Sequence, residues 1–262
     1  MLTRQQIDFF ETFGFLCLRR LYSTEEMAGI IREVDELLAA NAGRRTGPSH
    51  QAVSNFVEMG TRLARLPEED RIHGPVGQLL GEGFVWGNSE GVSGSFNETN
   101  DHQWHSDRAG QIDLNYRRLK IMIYLQPMRR ETGALRVIPG SHHAPFHRGL
   151  LCLQSQQQGS AKAAFGVEGS ELCSHALEVD PGDAVLFDHY LYHAVYGKQS
   201  VRRYIALKFA ARPETETHYE ALGPHNQDAS SLHDGYRNSD RPRIQEMVKG
   251  LLEWEEKLGQ AL

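Results

Sequence analysis

The chain has 262 residues, 40% of them hydrophobic and 24% charged, a globular composition that excludes a disordered or repetitive polymer. With a mild formal charge of −6 no basic stripe argues for nucleic acid, and no apolar run approaches the ~20 residues a membrane helix needs. Cys17, Cys152 and Cys173 are odd in number and lack metal-type spacing, so they read as reduced thiols rather than a disulfide framework or a zinc site.

In chain order, the N-terminus carries acids and glutamines where a secretion signal needs an apolar run, so a cytoplasmic protein is expected. Thr3 and Gln6 stand at capping-box spacing, as do Ser23 and Glu26, and each pair opens an amphipathic helix. In the second helix Met27, Ile30, Ile31, Val34, Leu37 and Leu38 recur at the spacing of one buried face. Gly14 ends the first helix, and Phe15 to Leu18 reads as a short strand.

From residue 84 onward the apolar runs shorten and are bounded by Gly, Pro, Asn and Asp. Leu119 to Leu125, Ala134 to Ile138, Ala176 to Val179, Ala184 to Phe187 and Tyr204 to Phe209 read as strands. Turns such as Pro139-Gly140 and Pro181-Gly182-Asp183 punctuate them, and no long helices intervene, which predicts an antiparallel sandwich or barrel. Residues 88 to 101 and 154 to 171, rich in Gly, Ser, Asn or Gln, read as long loops. The tail is helical again, with Asp240 as its cap, Pro242 in its first turn, and Ile244, Met247, Val248, Leu251 and Leu258 on one face. The expectation is one domain over 1–262: a helical flank over 1–83, a mainly β core over 84–212 and a helical tail over 239–260.

Thirteen histidines and 34 acidic residues make a His-x-Asp/Glu triplet a chance event, and two occur, His105-Ser106-Asp107 and His218-Tyr219-Glu220. Context separates them. Two histidines and one carboxylate leave three metal positions open for a bidentate co-substrate and oxygen, and the third ligand must come from a distant strand of the same barrel. His105 and Asp107 have strands downstream and then His193, past the turn at Pro181 and the strand Ala184 to Phe187. His218 has only His225 and His233 after it, in a polar segment. His105, Asp107 and His193 are therefore the candidate metal ligands. A 2-oxoglutarate bound there needs a buried cation for its far carboxylate, and arginine's planar fork suits it. Arg202 and Arg203 follow His193 at the start of the last strand. Alternation lets only one of them point inward.

Four stretches together resemble the phytanoyl-CoA dioxygenase family of iron(II)/2-oxoglutarate enzymes: the opening Leu2-Thr3 to Leu38, Trp104-His105-Ser106-Asp107, Gly133 to His142, and Pro181-Gly182-Asp183 through His193 to Arg202. The resemblance implies a double-stranded β-helix, a cupin-like jelly roll, flanked by helices. It implies Fe(2+), 2-oxoglutarate and O2 as cofactors, and oxidation, chiefly hydroxylation, of a small molecule of biosynthesis or catabolism, with release of succinate and CO2. Its spacing from arginine to the aromatic that closes the strand favours Arg202, seven residues before Phe209, although Arg203 shares a face with Ile205, Leu207 and Phe209. Ala194-Val195 stand where the family often has Gly-Ser, and Thr132 where it has Asn or Asp. His142 and His143 read as structural, His189 as a supporting residue, Trp86 and Trp104 as core or pocket aromatics, and Arg129-Arg130 as a solvated pair. Substrate contacts are expected from residues 41–60, 88–101 and 144–172, with a small molecule as the only partner. On residues alone, a halogenase of this fold, a cupin-like metal enzyme without 2-oxoglutarate and a non-enzymatic jelly-roll module stay open.

Overall fold

The computed structural model describes residues 1–43, 45–47, 50–94, 102–107, 113–154, 159–197, 201–222 and 232–259. Helix α1 (Arg4–Phe13) starts at a full capping box between Thr3 and Gln6 and stops at Gly14, whose φ of 82° puts it in the left-handed region that glycine tolerates. Strand β1 (Phe15–Leu18) follows directly. Helix α2 (Thr24–Ala40) repeats the device with Ser23 and Glu26, and buries Met27, Ile30, Val34 and Leu38. Next come β2 (Arg45–Gly47), β3 (His50–Ser54), α3 (Asp70–Leu80), β4 (Val85–Gly94), β5 (His102–His105), β6 (Arg118–Tyr124) and β7 (Leu135–Val137). Short helices α4 (Phe146–Gly149) and α5 (Ser160–Phe165) precede β8 (His175–Leu177), β9 (Ala184–Asp188), β10 (His193–Val195) and β11 (Arg202–Ala210). The chain continues through α6 (Glu216–Glu220), α7 (Asp234–Arg237) and α8 (Pro242–Leu258).

The strands form two antiparallel sheets, ordered β1-β9-β6-β11-β4-β3-β2 and β5-β10-β7-β8. From β4 onward the chain crosses between them: β4, β6, β9 and β11 lie in the larger sheet, and β5, β7, β8 and β10 in the smaller. That winding is the jelly-roll core.

The register of the larger sheet decides what reaches the interior. Tyr204, Ala206 and Lys208 of β11 pair with Tyr124, Met122 and Lys120 of β6, and these side chains share one face. The alternate face carries Ile205, Leu207 and Phe209 against Ile123, Ile121 and Leu119, buried under Met27, Ile30, Ile72, Val76, Ile244 and Met247 of the helices. Both faces of the sheet are thus covered, which is why its strands read as continuous apolar runs. Between the sheets, Met122, Tyr124, Val137, Leu177, Val185 and Phe187 fill one half of the interior.

Several expectations need correction. Residues 88–94 are not loop but the inner part of β4, while 95–101 lie outside the described residues. The flank over 1–83 holds more than helices and the expected strand at Phe15–Leu18, because β2 and β3 also join the larger sheet. Within 154–171, residues 160–165 form α5 and 169–171 a 3-10 turn, and residues 155–158 lie outside the described residues. The N-cap of α8 is Arg241, which makes no side-chain cap bond, so Asp240 does not fill that place, although Pro242 does sit in the first turn. Among the described residues no helix is long and apolar enough to cross a membrane.

Candidate metal centre

The smaller sheet brings the two distant histidines together by register. Strands β5 and β10 are antiparallel neighbours with His193 directly opposite His105, and the ring centroids stand 4.3 Å apart. Asp107 follows β5 by two residues, and its backbone N–H donates to the His189 carbonyl at 3.0 Å, which fixes the turn. Ligand atoms of His105, Asp107 and His193 all lie within 4.8 Å of one another.

Each ring is oriented from behind. His105 Nδ1 lies 2.7 Å from the Gln103 carbonyl and His193 Nδ1 lies 2.9 Å from the Leu191 carbonyl. A ring nitrogen facing a carbonyl carries the proton, so each Nε2 is left with a free lone pair. The two Nε2 atoms stand 3.7 and 3.6 Å from the same oxygen, Asp107 Oδ1. Burial lowers both histidine pKa values, that of His193 to about 3, so both rings are neutral. Burial pushes the Asp107 carboxyl up, but the Lys120 ammonium beside it outweighs that and holds the carboxyl well below its usual range. Two neutral imidazoles and a carboxylate converging on one point are the donor set of a two-histidine, one-carboxylate iron site.

Of the two adjacent arginines, Arg202 is the inward one. It is 2% exposed; its Nη2 donates to the Tyr124 hydroxyl at 2.8 Å, and its guanidinium lies 5.3 and 5.0 Å from the ring centres of Tyr124 and Tyr204. Its Nε is buried and finds no hydrogen-bond partner among the described residues. Arg203 turns the other way and pairs with Asp35 of α2. The register hint in favour of Arg203 fails because the helices bury the opposite face as apolar core.

Three interior charges escaped the sequence reading. Lys120 Nζ donates to Asp107 Oδ2 at 3.1 Å, and Lys208 pairs with Glu90. Burial would lower the Lys120 pKa, but Asp107 and Glu90 raise it overall. The available signal was a single lysine inside each of two apolar strand runs, at positions that the register sets side by side.

The remaining candidates fall elsewhere. His142 and His143 both reach the Glu11 carbonyl, tying the turn after β7 to α1. Trp104 donates to the Gly169 carbonyl beside the site, whereas Trp86 packs in the helix-side core and donates to Glu58. His218 bonds Asp113 at 3.2 Å and stacks on Tyr116, and His233 caps α7. His225 lies outside the described residues. Arg130 is exposed as expected, but Arg129 donates to the Met128 and Val179 carbonyls and pairs with Asp180, so it staples two turns rather than standing in solvent.

Residues 10–203 match the model of the phytanoyl-CoA dioxygenase family. The chain is 28% identical over 154 residues to the ectoine dioxygenase of Bordetella parapertussis, covering 54% of this chain and 50% of that protein. The ectoine dioxygenase of Bordetella bronchiseptica matches to the same extent. The chain therefore spans about half the length of the curated relatives it matches. Among solved structures, the carbocyclase SnoK from nogalamycin biosynthesis superposes with a TM-score of 0.64 at 20% identity, covering 80% of this chain and 85% of that one. HygX from Streptomyces hygroscopicus, with nickel and 2-oxoglutarate bound, gives 0.63 at 20% identity, covering 80% and 87%. EctD from S. alaskensis, with 2-oxoglutarate and 5-hydroxyectoine, gives 0.63 at 20% identity, covering 80% and 77%. At such identities the likeness concerns the fold.

Proposed function

The chain belongs to the phytanoyl-CoA dioxygenase family, and we propose that it is an iron(II)- and 2-oxoglutarate-dependent dioxygenase that hydroxylates a small organic molecule. The observation that carries this reading is the convergence of His105 Nε2 and His193 Nε2 on Asp107 Oδ1 in a chain of that family. His105, Asp107 and His193 would hold Fe(II), with neutral rings and an ionised carboxylate already in place and no proton to be displaced. Bound iron with 2-oxoglutarate supplies the oxidising chemistry: one atom of O2 goes into the substrate C–H bond and the other into succinate, with loss of CO2.

The protein's own part is placement. Arg202 fits the far carboxylate of 2-oxoglutarate, since its buried Nε still needs an acceptor and its Nη2 is anchored on Tyr124. Tyr204 and Tyr124 flank that guanidinium and restrict its orientation. The apolar half of the interior abuts the triad: Phe187 stands edge-on to the His193 ring, with ring centroids 5.1 Å apart. The EctD and HygX complexes, which hold 2-oxoglutarate, support this choice of co-substrate.

The test is anaerobic. Adding 2-oxoglutarate to the Fe(II)-loaded protein should give the visible charge-transfer absorption of a keto acid chelated to ferrous iron. Admitting oxygen should then yield succinate. Absence of both the absorption and 2-oxoglutarate-dependent oxygen uptake would overturn the proposal.

A further inference from the structure

A carboxylate has two oxygens, and in this site they face different partners. Asp107 Oδ1 is the atom shared by the two histidine Nε2 atoms, at 3.7 and 3.6 Å, whereas Oδ2 lies 3.1 Å from Lys120 Nζ. Lys120 is nearly enclosed, with 12% of its side chain exposed, and stands on the inward face of β6 opposite Lys208 of β11. Lys208 in turn holds Glu90, and Glu90 acts on Lys120, so the interior carries charges of alternating sign in the order Asp107, Lys120, Glu90, Lys208. A lysine removed from water is costly unless it is paired, and Asp107 Oδ2 is the partner this ammonium has.

We propose that Lys120 is a positioning residue of the metal centre: by holding Asp107 Oδ2 it makes Asp107 a one-oxygen ligand. This rests on the reading of His105, Asp107 and His193 as the metal ligands. The consequence is a matter of counting positions. A carboxylate free at both oxygens can chelate an ion and take a second position, whereas the proposed chemistry needs three positions, two for 2-oxoglutarate and one for oxygen. With Oδ2 committed to an ammonium, those three stay available. The same cation beside the ligand weakens the hold on a divalent ion, so the centre gives up some metal affinity for open positions.

The test uses Mn(II), whose free ion is counted directly by electron paramagnetic resonance, and needs no turnover. In Lys120→Met the cation is gone and Oδ2 is released. Mn(II) should bind about tenfold more tightly, and 2-oxoglutarate should bind the Mn(II)-loaded protein about tenfold more weakly. Lys120→Arg keeps a cation at that place and should leave both affinities near the native ones. Opposite movement of the two constants is the signature. A merely structural lysine would weaken both together, and that result, or two unchanged constants, overturns the proposal. If Lys120→Met fails to fold, the native protein still decides. Carboxylate infrared bands of 13C-aspartate-labelled protein, with and without Zn(II), should show the wide splitting of a one-oxygen ligand, and a narrow, chelating split overturns it. A native Mn(II) affinity that is indifferent to His193→Ala sinks the metal reading itself, and this proposal with it.

Discussion

His105 and His193 occupy one rung of the β5–β10 ladder, so the proposed metal-binding pair is set by strand register rather than by a loop. Removing either leaves at most two donors. His193→Ala should abolish stoichiometric ferrous binding and turnover, while His218→Ala, whose ring is engaged with Asp113 and Tyr116, should change neither. Iron titration followed by succinate assay measures both, and full iron affinity in His193→Ala would contradict the assignment. The arginines separate in the same way. Arg202→Ala removes a buried partner worth about 3–5 kcal/mol and should raise the 2-oxoglutarate requirement by roughly two or more orders of magnitude. Arg203→Ala loses a half-buried pair with Asp35 and should barely affect it. Titrating 2-oxoglutarate against each variant decides the matter, and the larger effect in Arg203→Ala would place the co-substrate elsewhere. At this scale much was legible. A triplet two residues apart on an extended segment already points to one face, and a histidine beyond a Pro-Gly-Asp turn marks a second strand. Lys120, Glu90 and Lys208 were not legible, because an isolated charge in an apolar run looks like an outward residue until the neighbouring strand is in register.

Elements announced by caps and periodicity, such as α1, α2 and the apolar strands β6, β9 and β11, follow from the sequence. Strand β4 does not, because Gly87, Asn88, Ser89 and Gly91 carry turn composition into the middle of a sheet. The reason is packing. A Cβ on Gly91 would stand 2.3 Å from the Phe56 ring, so the ring lies flat on bare backbone and no larger residue fits. Gly91→Ala should therefore destabilise the fold by about 1–3 kcal/mol, read as a lower denaturation midpoint in urea. A midpoint equal to the native one would mean that Phe56 turns aside freely. Helix α5 was missed for a similar reason: its cap residues Gly159 and Gly166 look like loop, and six residues are too few to display a helical period.

At the scale of the whole molecule, buried neutral histidines tie stability to pH. Burial, and then His143, lowers the His142 pKa from 6.5 to about 4 in the folded chain. Unfolding lets that ring take up a proton. Its contribution is complete above pH 6.5 and is lost as the pH falls toward about 4. The metal-free protein should lose thermal midpoint steeply over that window, and His142→Gln should flatten the slope. Equal slopes would show that His142 does not titrate on unfolding. A different consequence follows from the order of the larger sheet. Its middle strand, β11, is the last strand among the described residues, and β1 pairs with β9, far along the chain. A nascent chain thus leaves the ribosome with β6 and β4 as two open edges that stay unpaired until Ala210 has emerged. Such contacts, distant in sequence, make for slow folding and exposed edges. A nascent chain that stalls before Arg202 therefore offers templates for aggregation rather than half a protein.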